Sequence, residues 1–450
     1  MKKLLLFVLA IHFTLITIHC ISQPCLPEGI TFTTQSQIDN FQINYPNCTE
    51  VEGDMIISGG DITNLTPLNV LTSVGGSLTI ESNSNLASLS GLNSLSHLGG
   101  SLLIYENNNM INLTGIDNLT TVDSSLYIGY NNNLINLFGL TNLTTVGAST
   151  VIEDNQTLNN FTGLDQLTSI GEYFIVRSND SLINFSGIGN LLTIGGDVMI
   201  WANDELIDLY GIANLNYIGG DLSFIHNFSI QNFSGLENLD SIGGYLWIEN
   251  NSLTSFHGLN NLRSIGDFIS ISTNPYLSDI SALINLNSVR IIGIYHNDNL
   301  TSLFGLDSIS AGSIDTLSIF DNSLLTTCEV RSICNFLINP SSVFEIDDNA
   351  PGCNSQQEVK EACGIFGIED IINKNEFHIY PNPAMDKLTI SSKNGLSIEA
   401  VVIYDQLGQI VMQIKGIGEN IDISTLGQGI YIIELTTSEL KNRRKLVIKK

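Results

Sequence analysis

The stretch Gly99–Val146 reads GGSLLIYENNNMINLTGIDNLTTV and then DSSLYIGYNNNLINLFGLTNLTTV, one phrase written twice at a spacing of 24 residues. A fixed period of this size marks a solenoid, in which each unit leaves an apolar face uncovered until the next unit stacks on it. The phrase extends in both directions, from about Val51 to Thr327, and aligns as about eleven coils almost without gaps. Coil starts fall at Gly75, Gly99, Asp123, Gly147, Gly171, Gly195, Gly219, Gly243, Gly266 and Arg290, the Gly243 coil being one residue short.

Each part of the phrase has a structural reason. The L-x-I piece alternates with period two, so Leu102 and Ile104 turn inward from a short strand, and equivalent strands stack into a parallel sheet. Three residues on, an asparagine recurs in every coil from Asn83 to Asn322. Its amide supplies the donors and acceptors that a buried backbone corner lacks. Leu134, Leu137, Leu140, Leu143 and Val146 fill the interior of one coil, and Gly139 marks its next bend. Helical coils need ten or more residues at 3.6 spacing, and the Gly and Asn corners leave no room for them.

The charge is uneven. Seven Lys or Arg lie in residues 1–365, and the ten that follow are balanced by ten Asp or Glu, so the net charge of −28 falls on the first part of the chain. Such a body repels phosphate backbones, which argues against nucleic-acid binding.

Residues 1–22 read as a secretory signal: Lys2 and Lys3, an apolar run from Leu4 to Ile18, then small residues before a cleavage site. A lipid-anchored Cys20 is the competing reading. No later stretch of about 18 apolar residues exists, so no transmembrane segment is expected in the mature chain. Six cysteines remain, none inside the repeats. Cys25 and Cys48 bracket an N-terminal cap at 23–50 with a short helix from Gln35 to Phe41. Cys328, Cys334, Cys353 and Cys363 fall in a C-terminal cap at 328–363, with capping boxes expected at Thr326/Glu329 and Asn354/Gln357. An even number in an exported chain points to disulfides that close the solenoid ends, with the connectivity of the second cap left open. Metal ligation is the alternative, but intervals of five, eighteen and nine residues contain no CxxC pair.

Outward strand positions carry the functional information. Tyr127, Met199 and Trp247 lie between inward residues, while Tyr105, Glu153, Arg177, Trp201, Glu249 and Tyr295 follow them. Both tryptophans of the protein sit on this face, two coils apart. Aromatics gathered in a patch mark interaction surfaces, against the plainer reading that aromatics suit pleated strands. These nine residues are the candidate ligand-binding set, for a glycan or a protein. HExxH, G-x-S-x-G and phosphate-loop motifs are absent from the sequence. No catalytic residue, metal ligand or cofactor is assigned. Two alternatives remain: a β-helical carbohydrate-active enzyme, and an adhesin stabilised by Ca²⁺ at corner pairs such as Asn179-Asp180 and Asn203-Asp204.

The repeats resemble the leucine-rich repeat superfamily, and more closely receptor L-domain-type β-helices, through L-x-I-x-x-N followed by G-L-x-N-L-x-x-I-G-G. A glycine ahead of the strand and the longer interval after the asparagine depart from the common leucine-rich repeat and favour a straighter, all-β coil. The resemblance implies a binding scaffold for proteins or glycans and no catalytic activity.

After a linker at 364–375, strand-like runs recur at Lys387–Ser391, Ala400–Tyr404, Ile410–Ile414, Ile430–Leu435 and Lys445–Ile448, predicting a compact β-sandwich over 376–450. Tyr380-Pro381-Asn382-Pro383, then Tyr404-Asp405 with Gly408, then Gly429 and Tyr431, and the terminal KLVIKK, resemble the type A C-terminal sorting domain of the type IX secretion system. That likeness implies a Bacteroidota origin, the secretion machinery as a partner, removal of the tail, and a final location outside the cell or on its outer surface. The expected fold class is all-β: a leucine-rich parallel β-solenoid at 51–327 with short helical disulfide caps, plus the small C-terminal sandwich.

Overall fold

A computed structural model describes residues 24–338, 344–365, 377–392, 397–415, 420–436 and 441–450. The signal segment 1–22, Cys20 within it and most of the linker lie outside the described residues. The chain divides into two compact units, Met1–Val359 and Lys360–Lys450.

The first unit is a parallel β-solenoid of about 13 turns. Among the described residues, fourteen strands stack in sequence order into one long sheet, and eleven two-residue strands form a second sheet along another side. Register is strict: Leu126 pairs with Leu102 on one side and Thr150 on the other, and Ile128 with Ile104 and Ile152. The period thus translates directly into columns. Leu126, Ile128, Leu134, Leu137, Leu140 and Leu143 are all fully buried, each stabilising the fold by about 2 kcal/mol relative to exposure. Where the columns carry phenylalanine, the rings pack edge to face, as in Phe161 with Phe185 at 5.1 Å and Phe224 with Phe233 at 5.1 Å.

The corners are held by the asparagine ladder. Asn131 Nδ2 donates to Ile104 O at 2.9 Å and Gly129 O at 3.0 Å, and its backbone N–H donates to Asn155 Oδ1 at 3.1 Å. The residue ahead of each ladder asparagine is left-handed, with φ between 49 and 58° from Ser82 to Asp348, although none of these residues is glycine. Paired amides on both sides hold that conformation, which an unsupported L-residue avoids. Gly139 has φ 117°, and a Cβ there would lie 1.9 Å from Leu113 O.

The caps extend the solenoid further than the repeat phrase does. Ile30–Phe32 and Phe344–Asp347 join the long sheet at its two ends, and Asn349 accepts from Asn322 N–H at 3.1 Å as one more rung of the ladder. The expected eleven coils therefore become about 13. The expected helix from Gln35 to Phe41 is two short helices, Gln35–Asp39 and Phe41–Asn44, the first with Thr34 and Gln37 as a reciprocal capping box. In the second cap both boxes are displaced. The Thr326 hydroxyl donates to Thr301 O, so it is spent on the preceding coil, and the helix begins at Arg331. The second helix, Gln356–Ala362, takes Ser355 as its cap, with Ser355 Oγ accepting from Glu358 N–H at 3.2 Å and Glu358 reaching back to Asn354 N–H at 3.1 Å. Cys25–Cys48 and Cys328–Cys353 are disulfides with Cα atoms 5.6 Å apart, and Cys334 and Cys363 are disulfide-bonded too.

The second unit contains a three-stranded and a four-stranded antiparallel sheet around one core that includes Leu388, Ile390, Val401, Ile403, Ile433 and Leu446. Two of its strands, Phe377–Tyr380 and Asn420–Asp422, have no counterpart among the expected runs.

Candidate functional site

The outward face of the long sheet is built by the four-residue strands, whose first and third residues fill the core. In Leu126–Gly129 that leaves Tyr127 outward, half-buried, with Gly129 behind it. Glu153 lies in the next strand beside Gly129, and Arg177 in the strand after that beside Glu153. The absent side chain at Gly129 has a consequence. A Cβ there would lie 2.6 Å from the Tyr127 hydroxyl, so the ring leans across the glycine. Tyr127 Oη then donates to Glu153 Oε1 at 2.7 Å, and Arg177 Nε donates to Glu153 Oε2. Glu153, expected to present its carboxylate, is buried at 5% exposure beneath these two partners.

The electrostatics follow from that burial. The Tyr127 hydroxyl is pushed well above its ordinary range, first by desolvation, then by its bond to Glu153 and that group's charge. Arg177 is raised by its bond to Glu153. Tyr130, one corner away and exposed, is raised by the charge of Asp154 and then of Glu153. Asp180 is raised by burial and then by Asp204 and Asp154, so carboxylates crowd the rim of this patch.

Trp201 pairs in register with Arg177, stands 39% exposed, and donates from Nε1 to His226 Nδ1 at 3.4 Å. Tyr105, in the column of Glu153, meets Tyr127 edge to face at 5.9 Å. Trp247 lies two strands on from Trp201, about 10 Å along the axis, and in a different column, between Ser223 and Ser270. It is half-buried and meets Tyr245 at 6.3 Å, which in turn stacks on Phe268 at 4.6 Å. Met199 shares the strand of Trp201 and the column of Trp247, Glu249 shares the strand of Trp247 and the column of Trp201, and both are half-buried. Tyr295 stacks on Phe320 at 5.1 Å and lies 3.3 Å from Ser270 Oγ. The expected residues thus share the outward face, where Tyr105, Tyr127, Glu153 and Arg177 contact one another up to the strand of Trp201, and Ser270 links the strand of Trp247 to Tyr295.

Sequence reasoning missed Tyr130, Asp154, His226, Tyr245, Phe268 and Phe320. Tyr130, Asp154 and His226 share one legible signal, their place ahead of a ladder asparagine. Among the described residues no group of three or more His, Cys, Asp or Glu is placed to hold a metal ion.

In the tail, the motif residues have structural work. Asn382 Nδ2 donates to Lys445 O at 2.8 Å and its Oδ1 accepts from Val447 N–H at 2.8 Å, so the Pro-Asn-Pro turn is stitched to the last strand. Pro381 and Pro383 flank that asparagine, while Tyr380 is exposed. Asp405 Oδ1 accepts from Leu407 and Gln409 N–H at 2.9 Å, with Gly408 at φ 75° completing the turn. Gly429 opens the strand in which Tyr431 donates to Gly427 O at 3.0 Å. Tyr404 lies 3.4 Å from the buried Glu434, which also accepts from Arg443 Nε at 2.7 Å. The Tyr–Glu–Arg arrangement thus occurs in both units, each time satisfying a carboxylate buried on a strand.

Comparison with known proteins agrees with this geometry. Residues 378–449 match the secretion system C-terminal sorting domain, and residues 47–139 match the receptor L domain. The chain is also similar to the endo-acting ulvan lyase of Formosa agariphila, 36% identical over 85 residues. That stretch is 18% of this chain and only 16% of the lyase's own length. The chain is thus a parallel β-solenoid whose early turns match the receptor L domain, followed by a type IX secretion sorting tail. The tail directs it to the cell surface or the extracellular space, and no helix among the described residues is long and apolar enough to cross a membrane.

Proposed function

We propose that this is a non-enzymatic binding protein, delivered by its sorting tail and using the outward face of the long sheet to hold a glycan or a protein. The observation that carries the reading is the exposed Trp201 beside Arg177, with Trp247 on the same face. A large apolar side chain held open on a rigid parallel sheet offers contact area without an ordering cost. The L-domain match supports binding.

The competing reading is a carbohydrate-active enzyme, and two observations favour it: the partial likeness to a lyase, and the meeting of Tyr127, Glu153 and Arg177 on three successive coils. The direction of the proton equilibria weighs against it. A tyrosine acting as general base needs a lowered pKa, and that of Tyr127 is raised. Both Glu153 oxygens already accept hydrogen bonds.

The test is an array of glycans and extracellular proteins probed with the mature chain and with the Trp201→Ala/Trp247→Ala double variant. The expected result is a signal that the double variant loses. Binding that survives in the double variant, or an array blank throughout, sinks the assignment. Shortening of a bound polysaccharide by the parent chain would replace it with the enzymatic reading.

A further inference from the structure

We infer that Trp201, Arg177 and Asp154 form a subsite for an uncharged sugar ring, with the indole as platform and the guanidinium and carboxylate as partners for its hydroxyls. This subsite rests on the reading of the strand face as a binding surface, and it narrows the ligand from glycan or protein to a neutral glycan.

The first ground is the state of Arg177. Its Nε is committed to the buried Glu153, which fixes the plane of the guanidinium. Among the described residues none accepts a hydrogen bond from its Nη1 or Nη2, and the side chain is 40% exposed. A fork of donors with fixed orientation and free outer edges suits paired oxygens on a ligand. Trp201 is its neighbour in register one coil on, and its indole stands 39% exposed. Asp154, half-buried on the corner beside Glu153 and already engaged by the Tyr130 hydroxyl, brings a carboxylate with further lone pairs as the acceptor that sugar hydroxyls also require.

The second ground is charge. The guanidinium and Glu153 cancel each other, so the centre of the patch is polar without net charge. A polyanion approaching Arg177 would meet Asp154, Asp180 and Asp204 along the rim, and the −28 body beyond them. A cationic peptide drawn to that rim would meet Arg177 at the centre. A neutral ring meets neither repulsion. Donors and acceptors of both signs beside an exposed aromatic plane are what its two edges and its face require.

The experiment uses the full mature chain in calorimetric titrations with cellohexaose, hexagalacturonate and hexalysine at low and moderate salt. Cellohexaose is expected to bind with little salt dependence. Trp201→Ala should weaken it by about tenfold, and Arg177→Lys, which keeps the charge and loses the fork, by about fivefold. Thermal unfolding of each variant separates loss of a contact from loss of the fold. Salt-sensitive binding of hexagalacturonate or hexalysine in place of cellohexaose overturns the inference. So does cellohexaose binding that Trp201→Ala and Arg177→Lys leave intact while Trp247→Ala abolishes it, an outcome that would leave the face reading standing. No binding of any of the three probes removes this subsite, while the array decides the wider reading.

Discussion

Thr150 shows how narrowly one position is specified. It occupies the inward place that Leu126 and Phe174 hold in the neighbouring strands, and it is fully buried. Among the described residues its hydroxyl has no hydrogen-bond partner. The Phe161, Phe174 and Phe185 rings crowd the adjacent coils, so a small residue is favoured there, but nothing requires an oxygen. Thr150→Val keeps the shape and removes a desolvated polar atom, and should raise stability by about 1 kcal/mol in urea unfolding. A loss of stability would show that the hydroxyl is bonded. Tyr127 gives the opposite case. Its bond to Glu153 is made only by the neutral phenol, and its folded pKa stands above the ordinary value of about 10. The contribution is therefore fully present below about pH 10 and is lost as pH rises through the folded value. Tyr127→Phe should cost about 1 kcal/mol at pH 8, a charged-acceptor bond discounted for its half-exposure. The gap between parent and variant should close as pH climbs above about 10. A gap that is constant with pH would place the tyrosine's effect in packing alone.

At the scale of the element, the ends govern. A coil inside the stack is covered on both sides, whereas a terminal coil exposes its columns unless a cap closes it. Cys328–Cys353 ties the last repeat to the segment after the final strand, closing a separation of 25 residues. Replacing both cysteines by serine should lower stability by about 3 kcal/mol from the loop-closure term, read as an earlier urea midpoint with the long sheet opening from that end in hydrogen exchange. Unchanged midpoints would mean that the helices Arg331–Ile338 and Gln356–Ala362 cover the end without help. The displaced boxes of this cap have a simple cause. The preceding coil takes the Thr326 hydroxyl and supplies Asp307 Oδ1 to the Arg331 N–H, while Ser355 stands one residue nearer the second helix than Asn354 does.

For the whole molecule, the delivery signal and the proposed binding face fall in different units. The neutral tail carries the sorting match, and the acidic solenoid carries the L-domain match. A chain ending before Phe377 should fold its solenoid and stay inside the cell envelope, as read by fractionation and protease accessibility of intact cells. Its arrival at the cell surface would remove the tail from the export route. The first unit's net charge keeps such a chain soluble at high concentration, so retention would not be aggregation.

The period alone determined the solenoid, its inward columns, the asparagine corners, the glycine bends and the outward face, because each inner coil is buried by a like coil set in register on either side of it. The sorting motifs were legible for a related reason: Asn382, Asp405 and Gly408 shape turns, and turn chemistry is local. The number of turns was not legible, since the end strands Ile30–Phe32 and Phe344–Asp347 pair with the stack without carrying the phrase. Nor were the side-chain contacts made across that face. Tyr127 reaches Glu153 only because Gly129 lies between them across the stack, and Glu153 is hidden only because Arg177 closes over it from the far side. Those contacts join residues about one coil apart, through the lean of side chains over a neighbouring strand, and that lean is decided by packing after the coils have stacked.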